Sequence, residues 1–139
     1  MARRTLTDTE RAERNARITA LAAAAEHLEQ NHTADIDTAA RVLSHYSRRN
    51  VALILVQASE RGRDLPAAVA GFHDWRKAGR VVRKGAKGYA IYAPVIRKDK
   101  DTGQEEKKGY SIRYVFDIAD TDPIAGDSPA TLAALNAGG

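Results

Sequence analysis

Cysteine is absent from the 139 residues of this chain, and histidine occurs only four times. Without cysteine there is no disulfide bond and no thiolate metal site, which is typical of a protein from the reducing cytosol. None of the histidines stands in a His-Glu-x-x-His pair, which would place two imidazoles on one helical face around zinc. The sequence therefore predicts no metal, no cofactor and no catalytic residues, and we expect a protein that is not an enzyme.

Long apolar runs are also missing. No stretch of about eighteen apolar residues occurs, so no segment is long enough to span a membrane. The N-terminus carries Arg3 and Arg4 without an apolar stretch behind them, so it lacks the pattern of a secretory signal. A chain of this length suits one domain with a real core and is too short for two. We expect a single cytoplasmic domain with no membrane partner.

The basic residues are concentrated in one segment. Residues 76 to 114 hold 12 lysines and arginines against 4 aspartates and glutamates, a net charge of +8. The rest of the chain holds 10 basic and 14 acidic residues, a net charge of −4, so the overall +4 conceals a strong polarity. A module this basic is typical of proteins that bind nucleic acid or another anionic surface.

The N-terminal part of the chain predicts helices. Thr7 and Glu10 have the spacing of a capping box, and apolar residues then recur at helical intervals as far as Leu28. Residues 31–33 break this first helix. A second helix is predicted over 37–45.

A third helix begins at a cap provided by Ser47 and ends before Gly62. Its apolar segment 51–56 is also compatible with a buried strand. The good helix formers that follow, and the glycine at which the pattern stops, favour a helix. A short fourth helix is predicted over 72–78, ended by Gly79.

Strand patterns follow. Residues 89–97 and 110–117 predict two paired strands, and the polar segment 98–109 between them predicts a hairpin loop. Tyr89 and Tyr92 would lie on opposite faces of an ideal strand, so both can stack on one ligand only where the strand bends. The sequence thus predicts an α+β fold in which N-terminal helices pack on a small antiparallel β-sheet with a basic hairpin.

The predicted domain covers residues 10–122. Residues 1–9 would form a flexible N-terminus, and residues 123–139, rich in Pro, Gly, Ala and Asp, a flexible tail or the stub of a linker. Asp117 and Asp120 near its end could suggest a carboxylate pair. No metal ligand or nucleophile accompanies them, so we interpret them as turn residues that end a strand.

The strongest local pattern lies in residues 80–88, where two glycines and four cations come together. Glycine lets the backbone turn sharply and approach a phosphate, whose charge the cations neutralise. The segment is not a Walker A loop, because it lacks the Gly-Lys-Ser/Thr ending and opens no long helix. A tight hairpin with solvated charged flanks is the alternative. The candidate phosphate contacts are Arg80, Arg83, Lys84 and Lys87.

Two predicted helices offer further cations. The arginines of the first helix share a face that we interpret as solvated, with an auxiliary phosphate contact as the alternative; they are Arg11, Arg14 and Arg17. The start of the third helix offers exposed amides that attract phosphate, together with a ring, two guanidinium groups and an amide side chain. A plain cap with solvated arginines is the alternative there. The candidates at this helix are Tyr46, Arg48, Arg49 and Asn50.

Aromatic residues supply the stacking candidates. Trp75 is the only tryptophan, and its place in the core is favoured over a role as a stacking platform, although basic residues adjoin it. The other candidates of the basic segment, cations included, are Arg76, Lys77, Tyr89, Tyr92, Arg113 and Tyr114.

Six short motifs follow one another along the chain. They are His45-Tyr-Ser-x-x-Asn50, Leu-Ile-x-x-Gln57, Val-Ala-Gly-Phe-x-x-Trp75, Gly79-Arg-x-Val-Arg-Lys-Gly-x-Lys-Gly88, Ala-Pro94 and Tyr-Val-Phe-Asp117. In this order they resemble the N-terminal single-stranded-DNA-binding domain of ArdC-type antirestriction proteins, which occur on conjugative plasmids, phages and related mobile elements. The resemblance covers about residues 10–122, and the ordered set is far more specific than any one motif.

The resemblance implies an α+β domain that binds single-stranded DNA without strong sequence preference, with RNA as an open alternative. It implies DNA contacts for the four cations of residues 80–88, and less directly for Tyr46, Asn50 and Trp75. In longer members a zincin-like metallopeptidase domain follows, and such a domain is a possible downstream partner. This chain departs from relatives in carrying Ala-Asp-Thr121 where they often carry Ser-Gln-Thr.

Two other functions stay open at this point. The chain could be the targeting half of a truncated zincin-like metallopeptidase, or a protein-binding inhibitor of a host nuclease that needs no DNA. Many inhibitors that mimic DNA are strongly acidic, and the basic segment disfavours that version. We expect single-stranded DNA binding, in the protection of incoming mobile-element DNA from restriction.

Overall fold

In a computed structural model, residues 6–124 are described, without the side chains of residues 107 and 108. The elements are α1 (Asp8–Asn31), α2 (Thr33–Val42), α3 (Arg48–Glu60), β1 (Val69–Ala70), α4 (Phe72–Lys77), β2 (Arg80–Val82), β3 (Tyr89–Lys98), β4 (Glu105–Asp117), a 3₁₀ turn (Ile118–Asp120) and β5 (Thr121–Pro123). The predicted α+β fold class is confirmed. Helix α1 takes in residues 8 and 9, and β5 takes in residue 123, which the sequence assigned to flexible ends. The rest of the predicted tail, from residue 125, lies outside the described residues.

The strands form two antiparallel sheets. One has the order β1-β4-β3, and the other pairs β2 with β5. Strands β3 and β4 pair as far as Lys98 opposite Glu105. The predicted loop over 98–109 is therefore wrong in extent, and the turn occupies only 99–104. This part of both strands is mostly charged, so the sequence shows no apolar alternation that would predict a strand. The two strands pair here through their backbone hydrogen bonds.

The helix starts follow the predicted caps, with one displacement. The hydroxyls of Thr7 and Ser47 accept backbone N–H groups at the starts of α1 and α3, at 3.1 and 3.2 Å. Helix α2 begins earlier than the predicted span 37–45. Only His32, with φ −132° and ψ 48°, interrupts the helical backbone before α2 starts. The early start buries Ile36 completely.

Helix α3 lies at the centre of the core. One apolar cluster joins α2 and α3 to the sheet face that carries Tyr89, Ile91 and Val115. A second joins α1, α2 and α3 around Leu21. The four consecutive residues 51–54 are all buried, as expected for a helix that is covered on several sides. The choice of a helix over a strand for this segment is confirmed.

A third cluster surrounds Trp75 beneath the short helix α4. The tryptophan side chain is 0% exposed, and its Nε1–H donates to the carbonyl oxygen of Phe116 at 2.9 Å. Phe72, one turn earlier, is 40% exposed and lies edge-on to the Phe116 ring, with centroids 6.4 Å apart. The favoured core position of Trp75 is confirmed, and its role as a stacking platform is wrong.

The free edge of β3 is covered by two amide side chains of α3. Gln57 accepts a hydrogen bond from the N–H of Ala90 and donates one to its carbonyl, both at 2.9 Å. Asn50 does the same with Tyr92, again at 2.9 Å in both directions. The next position outward on this edge is Pro94, which has no N–H to satisfy. Covering these groups matters because an open edge is a template for pairing with another chain.

Candidate nucleic-acid interface

A tight loop, residues 83–88, joins β2 to β3 and depends on its glycines. Gly85 has a φ of 85°, a conformation that residues with a side chain rarely adopt. A Cβ on Gly88 would lie 2.8 Å from the Cβ of Tyr114. Only glycine therefore lets this loop lie so close to β4.

Arg61, which directly follows α3, holds the loop against the sheet. Its guanidinium donates to the carbonyl oxygens of Lys87 and Gly88 at 3.0 and 2.8 Å. The same group lies 4.6 Å from the centroid of the Tyr89 ring, within cation–π distance. Arg61 was not among the predicted site residues, because no local sequence signal links it to a partner 26 positions away.

An open groove of about 500 Å³ lies beside this loop. Arg14 and Arg17 line it from α1, and Arg61 and Lys87 line it from the other side. Tyr114 also lines it, and 48% of that side chain is exposed. The remaining lining residues are Ile18, Leu21, Gln57, Glu60, Gly88 and Ala90. The groove thus combines four cations with one accessible aromatic ring.

The charge of the groove is only partly neutralised. Glu60 is its one acidic lining residue, and its carboxylate lies 3.7 Å from the guanidinium of Arg17. Within residues 6–124, neither Arg14 nor Lys87 forms an ion pair with a carboxylate. These two side chains are exposed and available to an anion such as a phosphate.

Arg80 and Arg83, predicted as phosphate contacts, hold β2 to β5 instead. Arg83 donates to both carboxylate oxygens of Asp122 at 2.9–3.2 Å and to the carbonyl of Ala119 at 3.1 Å. The hydrogen bonds and charge of this pair raise the pKa of Arg83 and lower that of Asp122. Arg80 donates to the hydroxyl and carbonyl oxygens of Thr121 at 2.7 and 3.2 Å. Both arginines bind β5 or the turn before it, and neither lines the groove.

The candidates at the start of α3 also have partners within the protein. Arg48 forms an ion pair with Asp37 at 2.7 Å, which ties α3 to α2. Arg49 pairs with Glu29 at 2.6 Å, which ties α3 to α1. The hydroxyl of Tyr46 donates to the carbonyl of Val69 at 3.2 Å, and burial, with a smaller effect of the Asp74 charge, raises its pKa. The amide of Asn50 is bonded to β3. These four candidates hold elements together, and none lines the groove.

The side chains of the predicted tyrosines and of Arg113 are divided between the two faces of the sheet. Tyr89 is 0% exposed, so its ring cannot stack on a base, and that prediction is wrong. The expectation that Tyr89 and Tyr92 face opposite sides is confirmed, because they belong to different apolar clusters. Tyr92 is half-buried. Arg113 is exposed but directly precedes Tyr114 in β4, so the two side chains point to opposite faces.

The remaining predicted cations are exposed. Arg76 and Lys77 end α4, and Lys84 lies in the loop, but none of the three lines the groove. Of the predicted contacts, the groove brings together Lys87 and Tyr114. The groove cations that were not predicted contacts are Arg14, Arg17 and Arg61, the first two having been given only as an alternative.

Arg63 organises the end of β4. Its guanidinium donates to both oxygens of the Asp120 carboxylate at 2.7 and 2.8 Å and lies 3.6 Å from Asp117. The hydrogen bonds, helped by the charge, lower the pKa of Asp120. Asp117 accepts the N–H of Ala119 at 2.9 Å and so caps the 3₁₀ turn. The interpretation of the two aspartates as turn residues is confirmed.

Across residues 6–124, no group of three or more His, Asp or Glu side chains is placed to hold a metal ion. No helix in the same range is both long and apolar enough to cross a membrane.

The fold and the groove define a small α+β domain with a basic, tyrosine-bearing surface that suits a polyanion. The model of the N-terminal domain of the anti-restriction factor ArdC matches residues 11–117, and the chain belongs to this family. The resemblance inferred from the six motifs is thereby confirmed.

A solved structure of a family member is also similar to part of the chain. It is the metal-free crystal structure of the antirestriction protein ArdC from plasmid R388, with 29% sequence identity and a TM-score of 0.41. The match covers 54% of this chain and 28% of that one, which is less than a third of the R388 protein. No curated protein sequence matches.

Proposed function

We propose that this chain binds single-stranded DNA without strong sequence preference, and that the groove beside Lys87 and Tyr114 receives the strand. The proposal rests on the meeting of four cations and one accessible ring in that groove. Cations neutralise phosphates, and an aromatic ring stacks on any base, at about 1–3 kcal/mol per base.

A single strand suits this surface better than a duplex does. The bases of a duplex are stacked on one another and hidden from a protein ring, whereas a single strand can splay a base onto Tyr114. The open groove of about 500 Å³ has the size of a small-molecule pocket and leaves room for splayed nucleotides.

Membership of the ArdC N-terminal family supports a role in antirestriction. A protein that coats the incoming single strand of a mobile element would shield that strand from host nucleases. The shielding of DNA from nucleases is proposed from the family and not from the fold, because a fold alone does not specify a function.

Fluorescence anisotropy with labelled oligonucleotides tests the strand preference. Oligo-dT should bind more tightly than a duplex of the same length. An RNA strand of matching sequence shows whether the protein distinguishes DNA from RNA. Equal or tighter binding of the duplex at near-physiological salt would contradict stacking on Tyr114.

A pair of double variants tests the groove itself. Arg14→Ala with Lys87→Ala should weaken oligo-dT binding and flatten its salt dependence by about 0.7 in log K against log salt for each lost contact. Arg41→Ala with Lys100→Ala removes the same charge from exposed positions outside the groove lining and is the matched control. If both double variants change the slope equally, the groove is not the site.

A protection assay separates DNA binding from inhibition of a nuclease. The wild-type chain should protect a single-stranded oligonucleotide from digestion, and the groove variant should not. If the groove variant loses DNA binding yet still blocks digestion, the protein acts on the nuclease, and the DNA-coating proposal is overturned.

A further inference from the structure

A second accessible ring lies on β4, outside the groove. Tyr110 is 60% exposed, the highest value among the large exposed hydrophobic side chains of residues 6–124. It lies in the same strand as Tyr114, four positions earlier, so both side chains point to one face of the sheet. The groove lining includes Tyr114 but not Tyr110.

The ring of Tyr110 is positioned by its neighbour across the sheet. The Tyr92 and Tyr110 rings meet edge to face, with centroids 6.1 Å apart and an interplanar angle of 68°. Ile112 lies between the two exposed tyrosines along β4 and pairs with Tyr92. With this edge contact in place, 60% of the Tyr110 side chain is still exposed. The side chains on this face of β4 therefore form an aromatic and aliphatic row that continues from the groove, namely Tyr110, Ile112 and Tyr114.

We propose that the strand held in the groove continues along β4 and that Tyr110 stacks on a second base. This inference rests on the proposed function for the nature of the ligand. At the usual rise of about 3.3–3.4 Å per residue, the Cα atoms of Tyr110 and Tyr114 are roughly 13 Å apart. One strand must contribute several nucleotides to reach both rings, so the site extends beyond a single nucleotide.

Charge favours nucleic acid as the occupant of this row. Residues 76 to 114 carry a net charge of +8, which suits a polyanion and disfavours a basic partner. Rings spaced along a β-strand beside a basic surface are a general arrangement for single strands, because stacking tolerates any base.

Anisotropy titrations with two lengths of oligo-dT test the inference. For an oligonucleotide of about ten nucleotides, Tyr110→Ala should weaken binding at least about fivefold. For a dinucleotide, which cannot span both rings, the same variant should bind like the wild type. Tyr110→Phe keeps the ring and should retain binding, and Ser111→Ala changes an exposed residue on the opposite face as a matched control. Melting curves establish that each variant is folded.

The outcomes separate this inference from the proposed function. If the wild type binds the longer strand and Tyr110→Ala binds it equally well, the track along β4 is wrong while DNA binding stands. An equal loss for the dinucleotide would place Tyr110 within the primary site and also overturn the extended track. Failure of the wild type to bind any single strand would overturn the proposed function and this inference together.

A second measurement needs no variant. Photocrosslinking of the wild type to a longer strand that carries iodouracil should label both Tyr110 and Tyr114, as identified by mass spectrometry of the peptides. Labelling of Tyr114 alone would count against the second stacking position.

Discussion

Trp75 holds a short element that could not be stable by itself. Helix α4 has only six residues, and isolated helices of that length are not stable in water. The buried indole packs with Ala68, Ala70 and Val82 and donates its N–H to Phe116. This one side chain therefore attaches the start of the basic segment to the sheet.

Replacing Trp75 by alanine should cost roughly 3–5 kcal/mol of unfolding free energy, because it leaves a large cavity. Trp75→Phe keeps most of the volume and should lose less, mainly the indole hydrogen bond. Urea denaturation measures both changes.

Tryptophan emission gives a separate check on the wild type. Since Trp75 is the only tryptophan and is fully buried, its emission should be blue-shifted and should change little on addition of oligo-dT. Red-shifted emission that DNA quenches would show that the indole is exposed at the binding surface.

At the scale of elements, α3 takes the place of a neighbouring strand along the free edge of β3. Gln57 and Asn50 are two helical turns apart, and they meet two backbone positions of β3 that are two residues apart. Each amide presents one donor and one acceptor, as a neighbouring strand would. The helix therefore completes the hydrogen bonding of the sheet and fixes where β3 lies.

Gln57→Ala should destabilise the fold by about 1–3 kcal/mol for each buried backbone group left without a partner, because Ala90 would lose both of its bonds. Gln30→Ala is a matched control, since Gln30 is exposed on α1. The midpoint of urea unfolding should fall for the first variant and barely move for the second. Similar small shifts in both would mean that water replaces the Gln57 amide.

The tie between Arg63 and Asp120 predicts a pH dependence at the end of β4. Arg63 lowers the pKa of Asp120 in the folded protein, whereas the pKa of an aspartate carboxyl in the unfolded chain is about 3.9. Between these two values the unfolded state binds more protons, so stability rises with pH there. The contribution is therefore complete above the unfolded value and is lost as the pH falls through the folded value.

Urea unfolding of the wild type and of Asp120→Asn tests this dependence. Between about pH 5 and pH 2, the wild type should lose more stability than the variant, which has no carboxyl to titrate at this position. Parallel losses would show that Arg63 does not perturb Asp120.

Over the whole molecule, carboxylates neutralise some arginines and leave other cations available. Among the described residues, ion pairs connect separate parts of the fold through five arginines, namely Arg17, Arg48, Arg49, Arg63 and Arg83. The exposed cations without such a pair include Arg14 and Lys87 of the groove and Arg76 and Lys77 at the end of α4. Sequence charge alone does not separate the two groups, because it counts every guanidinium equally.

The salt dependence of oligo-dT binding by the wild type shows whether cations outside the groove also contact the strand. If all four groove cations contact phosphates of a single strand, the slope of log K against log salt is about −2.8, and if only Arg14 and Lys87 do, it is about −1.4. A slope steeper than both would mean that cations outside the groove also contact the strand, and Arg76→Ala with Lys77→Ala should then reduce it. A slope near zero would contradict phosphate contacts altogether.

The helices α1 and α3, their caps and the long strands could be predicted from the sequence, because those signals are local. A hydroxyl that caps its own helix and apolar residues at fixed intervals lie within a few positions of one another. The short strands β1, β2 and β5 could not be predicted. Two or three residues have no periodicity, and each strand is defined only by its partner.

The candidate site divides in the same way. The basic segment and the family motifs are properties of the sequence, and from them we predicted a polyanion as the ligand and included two residues that line the groove, Lys87 and Tyr114. Tertiary structure decided that Arg80 and Arg83 bind β5, that Tyr89 is buried and that Arg61 shapes the loop. Whether a cation is available to a ligand depends in part on whether carboxylates or carbonyls from elsewhere in the chain already neutralise it. That condition depends on distances between residues far apart in sequence, which only the folded chain sets.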